Sequence, residues 1–181
     1  MTRIIIRAMR EREPFITYLT QELPHAEWCF DQKRNAMDTF LRALEMAGSQ
    51  SAVHMEDDTI LCDGFVQKLE AAIAQHPHHV VQFFSMRSAD TTVGSRWDGD
   101  FMMGQCFYLP PGYSEQIRNY YEYWPNKEKH PTGLDTMVGD WLKSRRMKYW
   151  LHVPSLVDHR DCKSLINPRR STKRQSKTFK K

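Results

Sequence analysis

The chain reads as an α/β sandwich around a mainly parallel sheet flanked by helices, and three observations predict it. Short apolar runs rich in β-branched and aromatic residues (RIIIRAM, AVHM, HVVQFFS, QCFYL) alternate with segments whose apolar residues recur at helical spacing. Turn and capping residues stand at the junctions between them. A length of 181 residues with 40% hydrophobic and 12% aromatic content is enough for one core and not for two.

The elements follow in order. Residues 3–9 form a buried first strand flanked by arginines. Pro14 fits the first turn of a helix that carries Phe15, Tyr18 and Leu19 on one face and stops at Pro24. Residues 27–30 make a short strand. Residues 35–47 place Met37, Phe40, Leu41 and Leu44 on one helical face, with Gly48 as the stop. A strand at 52–55 comes next, then a helix capped by Asp63 with Phe65, Leu69, Ala72 and Ile73 inward. Strands are expected at 79–85, 105–109 and 148–153. Between them lie helices bearing Ile117, Tyr120, Tyr121 and Trp124 (capped by Ser114) and Met137, Val138, Trp141 and Leu142. Residues 86–103 read as a long functional loop, because structureless stretches of that length are uncommon.

No apolar stretch approaches the ~20 residues of a membrane span, and the first residues are too short for a secretory leader. The expectation is a soluble cytoplasmic protein, in a host cytoplasm if the source is viral. Cys29, Cys62, Cys106 and Cys162 are far apart and read as isolated thiols, not a zinc site or disulfide framework. The net charge of +4 is unevenly placed. Residues 169–181 hold seven Lys or Arg and no acid; removing those seven from 26 basic residues leaves 19 against 22 acids, a net of −3 for the body. Two units are therefore expected, a domain at 1–168 and a basic, flexible tail at 169–181, which solubilises the chain or contacts a phosphate backbone.

The segment Ala52-Val53-His54-Met55-Glu56-Asp57-Asp58 carries the strongest chemical signal. An apolar strand ends in three consecutive carboxylates, whose repulsion calls for a cation. The end of a strand in an open α/β sheet is also where ligands bind. In an extended chain Glu56 and Asp58 would point to one side and Asp57 to the other.

Together with GQCFYLP, GLDTMVGDWL and VPSLVDHRDCKS, the Glu56-Asp57-Asp58 triplet gives an order of parts over residues 3–165 that resembles the small glycosyltransferases of GT-A type, with an E-D-D motif and a closing P-S-L-V-x-H motif at Pro154 to His159. The resemblance implies a single GT-A (Rossmann-like) domain that moves a sugar from a nucleotide-sugar donor, with a UDP-sugar favoured, to a hydroxyl. It implies Mn²⁺ or Mg²⁺ held by Asp58, Glu56 and His159, to offset charge on the departing nucleoside diphosphate. Donor contacts fall to Glu56 and Asp57 and, from the cationic positions near the first strand and second helix, to Arg7 and Arg34. A base for the acceptor hydroxyl, needed if the reaction inverts configuration, falls to Asp135 at the entry of a late helix, with Asp140 as the other candidate.

Trp97 and Asp98, in the long loop, are candidates for contact with the acceptor. The basic tail, and the resemblance to anchor-free bacteriophage enzymes, point to a hydroxymethylated base in DNA as that acceptor; a lipopolysaccharide sugar or a protein side chain is the alternative. Readings from other classes are a metal-dependent nuclease or nucleotidyltransferase, and a non-catalytic nucleic-acid-binding protein that uses its tail. Oligomeric state, donor sugar and stereochemistry are not written in the sequence.

Overall fold

The isoleucines of the first strand are buried on both of its faces, as a strand inside a doubly covered sheet requires. The structure, a computed structural model, describes residues 2–165 and 174–181. Its first half runs β1 (Arg3–Ala8), α1 (Glu13–Glu22), β2 (Glu27–Phe30), α2 (Ala36–Ala47), β3 (Ala52–Glu56), β4 (Thr59–Leu61) and α3 (Phe65–Gln75). The second half runs β5 (Val81–Gln82), β6 (Arg96–Asp98), β7 (Cys106–Leu109), α4 (Tyr113–Tyr123), α5 (Leu134–Ser144), β8 (Tyr149–Leu151) and β9 (Val157–His159).

Seven strands form one sheet in the order β2-β1-β3-β7-β5-β8-β6. β1 is parallel to β2 and β3, and β5 to β8, while β7 runs against β3 and β5 and β6 against β8. Five of the seven strands therefore share a direction, and the Rossmann-like α/β sandwich predicted from the sequence is what the chain adopts. One face packs Ile4, Ile6, Val53 and Met55 with Leu19 of α1 and Leu69 of α3. The other packs Phe107 and Leu109 with Phe40 of α2, Ile117 of α4 and Trp141 of α5.

Several local expectations change. α3 and α4 begin after Gly64 (φ 66°) and Gly112 (φ 79°), so glycine, not Asp63 or Ser114, turns the chain into each helix. Asn35 does cap α2, accepting from the Met37 and Asp38 amides. The strand expected at 79–85 pairs as a strand only at Val81–Gln82. The stretch 86–103 is not structureless: it holds a 3-10 turn at Ser88–Thr91 and the edge strand β6. A second sheet, unforeseen, pairs β4 with β9 antiparallel and sets His159 opposite Thr59.

Residues 174–181 make contacts with the body of the chain. Of the tail expected at 169–181, residues 169–173 lie outside the described residues. The remainder packs on the body: Ser176 donates its amide to Asp158 Oδ1 (2.7 Å), Thr178 Oγ1 accepts from the Ser155 amide (3.1 Å), and Phe179 leans on the core. In residues 174–181 hydroxyl contacts and an aromatic ring supply packing that a purely cationic segment lacks. No helix among the described residues is long and apolar enough to cross a membrane.

Candidate active site at the ends of the first and third strands

Register places the first two charged groups. Arg7 and Glu56 are direct neighbours on parallel β1 and β3, so their side chains leave the sheet on the same face, 3.6 Å apart at Arg7 Nη2 and Glu56 Oε1. The Arg7 guanidinium lies over Phe40 (5.1 Å) and Phe107 (5.9 Å), and its Nη2 donates to the Gly104 carbonyl at 2.5 Å. Leu134, not Arg7, crowds this position: a Cβ at Gly104 would run into the Leu134 side chain. Arg7 Nε and Nη1 are buried without a hydrogen-bond partner.

After Glu56 the chain turns, and the alternation expected of an extended segment ends with it. Asp57 and Asp58 converge on one guanidinium: Arg12 Nη1 donates to Asp57 Oδ1 at 2.6 Å and to Asp58 Oδ2 at 2.7 Å. Asp57 is held from two sides. Its other oxygen accepts from the Met9 amide at 2.7 Å, which ties the end of β3 to the end of β1. Burial pushes the Asp57 carboxyl up to about 6 despite Arg12. Burial pushes Glu56 up as well, against the pull of Arg7. Asp58 goes the other way: burial acts upward, but His159 and Arg12 outweigh it and hold this carboxyl below its ordinary range.

His159 reaches the cluster through the β4–β9 sheet. Its Nε2 is 3.2 Å from Asp58 Oδ2, and the Arg160 amide donates to the Asp58 carbonyl (2.8 Å), fixing the two segments together. Arg174, from the C-terminal segment, brings Nη2 to 2.6 Å from the same His159 Nε2. One cleft is lined by Arg7, Arg12, Glu56, Asp57, Asp58 and Arg174. An adjoining one continues past Glu56 and Arg174 to Gly104 and Asp135.

Thus Arg7, Glu56, Asp57, Asp58 and His159 come together, with Asp135 next door. Asp135 stands in the first turn of α5 and accepts from the Met103 amide (3.2 Å). Other predicted positions lie elsewhere. Asp140 holds Trp124 Nε1 and Asn126 Nδ2, each at 2.8 Å, inside the helical layer. Arg34, exposed and with φ 51°, pairs with Glu11. Trp97 makes T-shaped ring contacts with His76, His79 and Trp150 near the start of β5, away from the strand ends that bear the carboxylates. Asp98 is paired with Arg87 and Arg96.

Sequence reasoning missed Arg12 and Arg174. Arg12 sits in the charged run Arg10-Glu11-Arg12-Glu13, which reads as a solvated surface, and Arg174 sits in the basic tail. Only the turn after β1 and the return of the C-terminus reveal their role.

The donor set fits a hard divalent cation. Asp58 offers a carboxylate whose Oδ1 is buried without a partner; His159 Nε2 lies beside it but is engaged by Asp58 and Arg174, and would bind a metal only on release from Arg174. Among the described residues no three His, Cys, Asp or Glu are arranged to hold a metal by themselves, so further ligands would come from the substrate or water.

This arrangement defines a Rossmann-like α/β protein with a charged cleft at the carboxyl ends of adjacent parallel strands. The sequence matches no protein-family model and no curated protein. Among solved structures the chain is similar to A197 from STIV, with a TM-score of 0.50 at 15% identity over 87% of this chain and 84% of that one. It is similar also to a protein described as a glucose-1-phosphate thymidylyltransferase from Bacillus anthracis, with a TM-score of 0.50 at 11% identity over 86% and 69% of the two chains. A third likeness is to apo UDP-glucose pyrophosphorylase, with a TM-score of 0.50 at 10% identity over 83% and 72%. At these identities the likeness shows the fold.

Proposed function

We propose that the protein is a metal-dependent glycosyltransferase that takes a nucleotide-sugar donor, a UDP-sugar foremost, and transfers the sugar to a hydroxyl. The observation that carries the reading is the meeting of buried Asp58 and His159, with Asp58 lining a cleft whose neighbour reaches Asp135. The names of two structural neighbours, a thymidylyltransferase and a UDP-glucose pyrophosphorylase, support a nucleotide or nucleotide-sugar ligand.

In this reading Asp58 and His159 hold Mn²⁺ or Mg²⁺, with Glu56 alongside; a metal there would offset charge on the departing nucleoside diphosphate. Arg7, with Nε and Nη1 both unpartnered, faces the phosphates. Asp57 fixes the turn through Met9 and Arg12, so that Asp58 points into the cleft. Asp135 accepts the proton of the acceptor hydroxyl if configuration inverts. The acceptor class carried from the sequence is a hydroxymethylated base of DNA, with lipopolysaccharide and protein hydroxyls as rivals.

A second reading, a nucleotidyltransferase that joins a nucleoside triphosphate to a sugar 1-phosphate, is favoured by the same two neighbours. One assay separates them. Wild type and Asp58→Ala are incubated with Mn²⁺ and either a panel of sugar nucleotides or nucleoside triphosphates plus sugar 1-phosphates. Release of nucleoside diphosphate from one sugar nucleotide, reduced at least a hundredfold in Asp58→Ala, is the expected result. Pyrophosphate release from the second mixture alone would install the nucleotidyltransferase instead.

A further inference from the structure

The charges of the cleft do not all have the same standing. Arg7 is paired with Glu56, and Arg12 with both Asp57 and Asp58. Arg174 makes no ion pair with a carboxylate among the described residues; its contact is with His159 Nε2, at 2.6 Å. That nitrogen also lies 3.2 Å from Asp58 Oδ2, and one nitrogen cannot accept from a guanidinium and donate to a carboxylate at once. Arg174 Nε is buried and has no partner. A cation with an uncommitted donor, lining both parts of the cleft, is aimed at an anion not yet there.

The segment that carries it is anchored. The Ser176 amide donates to Asp158 Oδ1 (2.7 Å) and its hydroxyl to Ser155 Oγ (2.9 Å), while Thr178 Oγ1 accepts from the Ser155 amide (3.1 Å). Asp158 and His159 are consecutive in β9, so one short strand both holds the C-terminal segment and supplies the histidine. Only Gln175 separates the Ser176 anchor from Arg174, too little chain for the guanidinium to lie far from the cleft.

We propose that Arg174 is a phosphate-binding residue of this site, delivered by the C-terminal segment, and that Ser176 and Thr178 position it. Part of the basic tail then serves the ligand in the cleft and not an external polyanion. The inference rests on the nucleotide reading only for the name of the ligand; the anion site itself is tested without a nucleoside.

The test is calorimetric titration of the full chain with inorganic pyrophosphate, UDP and uridine. Wild type, Arg174→Gln, Arg174→Lys and the double variant Ser176→Ala with Thr178→Val are compared, and matched thermal melts show that each is folded. Losing one charge-assisted phosphate contact predicts that Arg174→Gln weakens pyrophosphate and UDP about tenfold to a hundredfold and leaves uridine unchanged. Arg174→Lys recovers part of the affinity, and the double variant, whose altered groups are anchors and not ligands, falls between wild type and Arg174→Gln. Equal pyrophosphate affinity in wild type and Arg174→Gln, no pyrophosphate binding to wild type, or parallel loss of UDP and uridine would each overturn the proposal. If pyrophosphate depends on Arg174 while UDP binds no better than pyrophosphate, the anion site stands and the nucleotide reading falls.

Discussion

Two clusters of buried acids and arginines lie along the same sheet, and they put their charge to different uses. Around β6, Asp90 accepts from Ser85 Oγ and from Arg96 (2.5 Å), and Asp98 pairs with Arg87 (3.0 Å) and Arg96 (3.3 Å). Arg87 also donates to the Tyr149 hydroxyl at 3.2 Å. Two acids and two arginines close on one another and bind the long connection 86–103 to the sheet. At the ends of β1 and β3, three acids meet Arg7, Arg12, Arg174 and His159, and the group opens on a cleft. Buried atoms without partners gather there: Arg7 Nε and Nη1, Asp58 Oδ1, His159 Nδ1 and Arg174 Nε, against Arg96 Nη1 in the first cluster. A closed network supports the fold; an open one keeps polar atoms in reserve, which buried groups rarely do without a function.

The largest effects that separate the two come from deleting one charge in each. Asp90→Ala leaves Arg87 and Arg96 without their central carboxylate and is expected to cost about 4 kcal/mol, lowering the melting temperature by roughly 10 °C. Arg12→Met leaves Asp57 and Asp58 facing each other and is expected to cost about 3 kcal/mol. The difference is in the response to metal. Millimolar Mn²⁺ should restore part of the stability of Arg12→Met, since a divalent ion can take the place of the missing guanidinium, and none of that of Asp90→Ala. Urea unfolding with and without Mn²⁺ reads both, and equal restoration of the two variants would erase the distinction.

The same contrast explains how much the sequence disclosed. The sheet, the helices and the carboxylate triplet are local patterns: Ile4 to Ile6, the face through Met37, Phe40 and Leu44, and Glu56 to Asp58 all lie within one element or its end. Arg7 is legible as a cation flanking the first strand, but its register opposite Glu56 is seen only in the pairing of β1 with β3. Arg12 and Arg174 were not legible, since each acts across about 45 residues or more or through a returning terminus. β6 was read as loop because three residues with two charges show no strand pattern; ion pairs hold it instead. Asp135 is preferred over Asp140 as a base from its place at the helix entry, while the contacts of Asp140 with Trp124 and Asn126 are not legible in the sequence.

A smaller effect, dependent on acid, comes from His54, two residues before Glu56 in β3. It is fully buried between Phe40 and Phe107, and burial, with Arg7 adding to it, lowers its ionisation from 6.5 to about 3. The folded state therefore holds the neutral ring where the unfolded chain is already protonated. Its contribution is whole above pH 6.5 and is lost as pH falls toward 3. Between neutral pH and pH ~4.5 this one group predicts a loss of about 2 to 3 kcal/mol. His54→Phe should flatten that part of the profile in urea unfolding at the two pH values; an unchanged slope would assign the acid sensitivity to other groups.

The smallest effect is at Trp97, whose ring is 42% exposed and meets His76, His79 and Trp150 at centroid distances of 5.4, 4.7 and 5.3 Å. Trp97 pairs with Trp150, which pairs with Val81 at the beginning of β5, whereas Glu56 stands at the end of β3. A half-exposed aromatic contact on an edge strand is worth about 1 kcal/mol. Trp97→Ala should lower stability by that amount and leave nucleoside diphosphate release from a sugar nucleotide unchanged, because the ring touches nothing in the cleft. Measuring that release together with transfer to a hydroxyl acceptor separates two outcomes. Loss of transfer with release intact would return Trp97 to the acceptor role that its sequence position first suggested. Loss of neither would leave it as packing for the edge of the sheet, and would confine ligand binding to the open cluster.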